Sequence, residues 1–143
     1  MTPPKRGSKL QVPGSPDEWL THAESDLHLA RLAKDHTEIL PEQVCFHAQQ
    51  AAEKALKSVL LYHQMEFPLI HDIEALLEIV RQGGVSLPSD VADAGALTPY
   101  AVEARYPGYE EDITPEQVEE AIGLAESVVT WAKTITTSHE GSP

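Results

Sequence analysis

Apolar residues recur at steps of three and four along most of the chain, and no stretch alternates with a period of two. Trp19, Ala23, Leu27 and Ala30 form the first stripe, and that spacing places them on one side of a helix. The stripe predicts a helix running to about His36. Its start is marked by Ser15-Pro16-Asp17-Glu18, a capping hydroxyl, a proline at the first helical position and a glutamate three residues after the serine. A second helix is expected from about Pro41 to Gln64, with neither glycine nor proline after its first residue. At about 100° per residue, Val44, Ala48, Ala51, Ala52, Ala55, Leu56, Val59 and Tyr62 share one broad half of it. That breadth suits a central helix with neighbours on two sides.

A third helix spans about Asp72 to Gln82 and is stopped by Gly83-Gly84. Residues 88–105 are helical in composition but contain Pro99, which predicts a kink or two pieces. Arg105-Tyr106-Pro107-Gly108-Tyr109 closes that segment. Thr114-Pro115-Glu116-Gln117 repeats the cap pattern and opens a last helix, with Val118, Ile122, Ala125, Val129 and Ala132 on one stripe to about Thr137. Residues 1–14 contain Pro3, Pro4, Gly7, Pro13 and Gly14 and read as a flexible tail; residues 138–143 read as a frayed end. No internal repeat and no hairpin signal competes. The expected fold is all-α, an up-and-down bundle of four to five helices over residues 15–137.

A length of 143 residues is one domain's worth of chain. Charge changes the picture more: ten Lys and Arg against 23 Asp and Glu give −13 at neutral pH. Lys5, Arg6 and Lys9 lie in the tail with no acid beside them, which leaves the body at about −16 (7 − 23). Between Pro88 and Glu126 there are ten acids and one base, Arg105. Such a surface repels phosphate backbones, so non-specific nucleic-acid binding is not expected. No apolar run approaches the roughly 18 residues of a membrane span, and the N-terminus lacks the apolar core of a signal peptide. A cytoplasmic protein is the expectation.

Several chemistries are excluded by spacing. A di-iron bundle needs Glu-x-x-His on two helices, and no glutamate here has a histidine three residues later. The seven histidines include no pair at i,i+3 or i,i+4, so neither a metal nor another cofactor is expected. Cys45, the one cysteine, falls on the apolar half of the second helix and reads as a core residue. Gly83-Gly84 has no Lys-Ser/Thr after it, so there is no phosphate loop.

The polar face of the second helix is the strongest candidate for binding. His47, Gln50, Lys54 and Lys57 fall within an arc of about 80°, and few other bases exist in the body. These residues read either as a solvated face, as halves of structural ion pairs, or as a groove that receives a ligand or partner. Asp26 projects close to the apolar stripe of the first helix, where an unpaired carboxylate is costly; Lys54 or His47 could neutralise it. Asp72 reads as a cap or first-turn acid of the third helix, and His71 beside it as either a loop residue or part of a site. Arg105 reads as a partner for the last carbonyls of its helix or for a ligand.

The run Cys45-Phe46-His47-Ala48-Gln49-Gln50-Ala51-Ala52-Glu53-Lys54-Ala55-Leu56-Lys57 resembles the HEPN domain family. Its setting does too, with Trp19, Ala23 and Asp26-Leu27 before it, then His71-Asp72-Ile73, then Ala104-Arg105-Tyr106-Pro107 ahead of a final amphipathic helix. The likeness covers about residues 16 to 135. It implies a bundle of four or five helices, usually dimeric, often encoded beside a minimal nucleotidyltransferase in toxin–antitoxin or related modules. Many such proteins are metal-independent ribonucleases carrying, late in the bundle, an arginine and a histidine separated by about four to six residues. The histidine then handles protons at the 2′-OH and the arginine stabilises the phosphate.

Here the pattern departs. Arg105 has the late position, but the next histidine is His139. Arg31 and His36 have the spacing, at the end of the first helix, the wrong place for the family's site. The expected function is therefore a non-catalytic module that homodimerises and engages a partner nucleotidyltransferase or a nucleotide-like ligand. His47, Gln50, Lys54, Lys57, His71, Arg105 and Tyr106 form its expected binding set, with Tyr106 able to stack on a base. An atypical ribonuclease using Arg105 with His47 or His71, and a purely structural interaction domain, are the alternatives.

Overall fold

Three of the helices begin where a side chain accepts from the first free N–H groups, and one begins on a proline, which has no N–H to satisfy. In the computed structural model, which describes residues 14–101 and 112–138, Ser15 Oγ accepts a bond from the Glu18 N–H at 3.2 Å. Glu18 Oε1 accepts one from the Ser15 N–H at 2.8 Å, completing the box ahead of α1, Pro16–Ala33. Ser15→Ala is expected to cost about 1 kcal/mol, read as a lowered denaturation midpoint; an unchanged midpoint would show that the cap carries no stability. The helix buries Leu20, Ala23, Leu27, Ala30 and Ala33. It stops three residues short of His36, because the next inward positions are Lys34 and Thr37, which offer nothing to bury.

Helix α2, Pro41–Tyr62, starts on extended Leu40 without a side-chain cap, its first turn carrying Pro41 and Glu42. It packs against α1 and against most of the elements that follow it. Val44, Cys45, Ala48, Ala51, Ala52, Ala55, Leu56 and Val59 are all at 2% exposure or below. The small side chains let α1, with Ala23 and Ala30 facing inward, approach closely. Tyr62, expected on the same face, is half-buried at the helix end.

Asp72 caps α3, Ile73–Gln82, through its Oδ1, which accepts from the Ala75 N–H at 3.2 Å. Gly84 at φ +89° turns the chain away from the helix end, a conformation that favours glycine. The segment with Pro99 is in two pieces: α4, Ser89–Ala92, then a 3₁₀-helix, Asp93–Ala101. The change falls at Asp93, upstream of the proline. Gly95 and Pro99, four residues apart, both weaken an α-helix here: proline has no N–H to give the Gly95 carbonyl, and glycine adds its own backbone freedom. Last comes α5, Pro115–Ser138, capped by reciprocal bonds between Thr114 and Gln117 at 2.8 and 3.1 Å. It lays Val118, Ala121, Ile122, Ala125, Val128, Val129 and Ala132 against α2 and α1.

The described residues are all-helical, without strands, in an up-and-down bundle around α2. None of their helices is long and apolar enough to cross a membrane. Exposed ion pairs join α1 to α5: Arg31 to Glu126 at 2.8 Å, Lys34 to Glu119 at 2.9 Å and Lys133 to Glu24 at 3.2 Å. The hydrogen bond to Glu119 holds the Lys34 ammonium above its ordinary range. Pairs this open to water add little stability. The basic residues Lys5, Arg6 and Lys9, the Arg105-Tyr106-Pro107 run and His139 lie outside the described residues.

Candidate functional site

Two carboxylates organise the polar face of α2, and each gathers one lysine and one histidine. The first is Asp26 of α1, its side chain 14% exposed. Its Oδ2 accepts from Lys54 Nζ at 2.7 Å and its Oδ1 lies 3.1 Å from His47 Nδ1. The second is Glu53, on α2 itself and 4% exposed. Its Oε2 accepts from Lys57 Nζ at 2.7 Å and its Oε1 from Gln49 Nε2 at 3.0 Å. His71 Nδ1, arriving from the connection before α3, meets both Glu53 oxygens at 3.1 and 3.0 Å. An ionised carboxylate only accepts, so the Nδ1 of His71 carries the proton and its Nε2 is left as the ring's other polar atom.

The amide groups tie this second cluster together. Gln49 Nε2 also donates to the His71 carbonyl at 3.2 Å, and Gln50 Nε2 donates to Gln49 Oε1 at 2.8 Å. Lys57 sits with its ammonium 5.9 Å from the centre of the Trp19 ring, within reach of the ring's negative face. Among the described site residues, His71 is the open one: its side chain is 69% exposed while its carboxylate partner is buried. The chain thus places a carboxylate-anchored imidazole at the surface, and beside it lysines that are positioned donors and not free charges. With histidines neutral, each cluster sums to zero.

A pocket of about 600 Å³ opens beside the first cluster, lined by Trp19, Thr21, His22 and Lys54 together with Asp17 and Glu18 of the first turn of α1 and with Gly14. Lys54 belongs to both pocket and cluster. Its two ammonium hydrogens not given to Asp26 remain for other acceptors.

Five of the seven expected binding residues are described, and they come together along one face: His47 and Lys54 on Asp26, Lys57 and His71 on Glu53, Gln50 alongside through Gln49. Arg105 and Tyr106 lie outside the described residues. Lys57 differs from its neighbours on the arc, being buried with Glu53 and not open to solvent. Sequence reasoning missed Gln49 and Glu53, which lie at the border of the apolar half next to Leu56. The signal was present: Gln49, Glu53 and Lys57 are spaced i,i+4, with the acid preceding the base, the favourable order on a helix. No group of three or more metal-ligating side chains forms among the described residues.

The architecture can be set beside known proteins. The HEPN domain family matches residues 16–135. Among solved structures, the chain is similar to ST0689, an archaeal HEPN homologue, at 29% identity and a TM-score of 0.67, covering 85% of this chain and 97% of that one. It is likewise similar to TT1696 from Thermus thermophilus, at 28% identity and a TM-score of 0.71, covering 84% and 97% respectively. No match was found among curated proteins. A helical bundle of this order, matched over nearly its whole folded length, defines the class. The chain belongs to the HEPN domain family.

Proposed function

We propose that this HEPN chain is a non-catalytic binding module. It pairs with a second copy and presents the α1–α2 face to a partner nucleotidyltransferase or to a nucleotide-like ligand. The observation that carries this reading is the pairing of the cations: Lys54 is held by Asp26 and Lys57 by Glu53. A lysine so paired offers a ligand an oriented hydrogen-bond donor whose charge is already balanced by a carboxylate. The pocket adds what a nucleotide would use, the Trp19 ring and the Lys54 side chain in one lining. The departure of the sequence from the family's late arginine–histidine spacing supports the same reading.

The test uses ATP as the probe. Trp19 and Trp131 are the chain's two tryptophans, so in a Trp131→Phe background the emission reports on Trp19 alone. ATP is expected to quench it, and Lys54→Ala to weaken that binding about tenfold, the worth of a charge-assisted bond. RNA incubated with the protein in EDTA is expected to stay intact. Cleavage that disappears in Arg105→Ala would install the ribonuclease reading in its place. The internal pairing also favours a second reading, an interaction domain with no small ligand; absence of quenching together with intact RNA would select it.

A further inference from the structure

Seven histidines stand in the chain, and a buried carboxylate sets one of them apart. His22, His28, His36 and His63 are exposed, but no carboxylate among the described residues bonds their rings. His47 shares Asp26 with Lys54, and its side chain is 29% exposed. Among the described histidines, His71 alone combines an open ring, 69% exposed, with a carboxylate partner that is 4% exposed. Its Nδ1 lies 3.1 and 3.0 Å from the two Glu53 oxygens. The backbone that carries the ring is held on both sides. Gln49 donates to the His71 carbonyl at 3.2 Å, and Asp72 caps α3 directly after it. The Lys57 ammonium, at 2.7 Å, balances the charge of Glu53.

The hydrogen bond at one ring nitrogen decides what the other can do. With the proton on Nδ1 and given to Glu53, Nε2 on the far side of the ring carries the lone pair. It is a nucleophile with no proton to lose, and the positive charge its ring takes on in bonding to an electrophile falls beside Glu53. His71 does not line the 600 Å³ pocket, so the ring is open to a donor arriving from solvent. We propose that His71 is a phosphoryl-acceptor site, which takes the group on Nε2 from an N-phosphoryl donor of the phosphoramidate class. The Nε2–P bond forms, the donor's N–P bond breaks, and the donor nitrogen leaves with that electron pair as a neutral amine. Nδ1 keeps its proton, so the ring becomes an imidazolium held by Glu53 and no base is required. One N–P bond replaces another, so the step needs neither an oxidant nor a further energy source. The added group turns a cluster that sums to zero into an anionic one, on the face that would meet the proposed ligand.

Phosphoramidate carries no base, so this inference and the ATP reading stand or fall separately. Incubated with the full chain at neutral pH, phosphoramidate is expected to add one phosphoryl group by intact mass. Peptide mapping is expected to place it on His71, at a rate at least about tenfold above His22, His28, His36 and His63, the worth of a charge-assisted bond to the developing imidazolium. Phosphorus NMR is expected to show the Nε2 isomer, the one that an anchored Nδ1 leaves open. His71→Asn removes the label. Glu53→Gln/Lys57→Met takes the carboxylate away without leaving a buried lysine unpaired. It is expected to keep helical circular dichroism and to bring His71 down to the rate of the other exposed histidines. The parent chain in urea, where the anchor is gone, is expected to lose the preference too. No label, label spread evenly over the exposed histidines, or label on Nδ1 overturns the inference. So does a preference for His71 that persists in the double variant or in urea.

Discussion

Lys57→Ala is expected to destabilise the protein by about 3–5 kcal/mol, because it leaves the Glu53 carboxylate buried without its cation. Both side chains of the pair are at 5% exposure or below, so water cannot take the place of the lost ammonium. Gln49 and His71 still bond the carboxylate, which places the loss toward the lower end of that range. Removing both charges together reverses the outcome. Glu53→Leu/Lys57→Met is expected to be near neutral or more stable than the parent, since neither buried charge then has to be desolvated. Urea denaturation of the three proteins measures this, through shifts in midpoint at a common slope. A Lys57→Ala variant within about 1 kcal/mol of the parent would contradict a buried ion pair at this position. The result also bears on ligand binding. Both variants remove a structural partner along with any ligand contact, but Asp26 is less buried than Glu53 and keeps His47 beside it, so Lys54→Ala is the milder probe of the groove.

Leu56→Ala is expected to cost about 2–5 kcal/mol, the transfer free energy of the lost atoms plus that of the cavity they leave. Leu56 is fully buried in the middle of α2, the helix that α1, α3, the 3₁₀-helix and α5 all contact. Neighbours held on several sides collapse poorly into a void, which argues for the upper half of the range. Against a total stability of about 5–15 kcal/mol for a domain, such a loss is large. Leu69→Ala supplies the contrast. At 65% exposure its loss is expected to stay within about 0.5 kcal/mol. Thermal melts of the two variants side by side decide the matter; equal shifts would mean that Leu56 does not sit in a packed core.

The paired carboxylates narrow the meaning of the acidic composition. In a chain with 23 acids and ten bases, cations are the scarce groups, and on this face two of them are committed to Asp26 and Glu53. The proposed ligand would meet oriented donors here, and an imidazole at His71 whose direction is set from beneath by a buried carboxylate. Of the remaining candidates, Arg105 and Tyr106, the first is the residue whose contribution the ribonuclease test reads directly.

Much of the fold was legible along the chain. Ser15 and Thr114 announced the starts of α1 and α5 through local bonds made within three residues, and the stripes of α1, α2 and α5 declared which sides are buried. Such features depend on neighbours a turn apart, so periodicity and cap chemistry suffice to read them. The pairing of Asp26 with Lys54 or His47 was also readable, because a carboxylate near an apolar stripe requires a partner. What the sequence could not decide was where the edge of the α2 core falls. The direction of Lys57 around its helix matched that of open residues. Its burial follows from α1 bringing Trp19 over it and from the chain before α3 bringing His71 onto Glu53, 18 residues away. Helical angle is a property of one element, whereas burial depends on what the other elements lay across it, and only the tertiary structure brings those surfaces together.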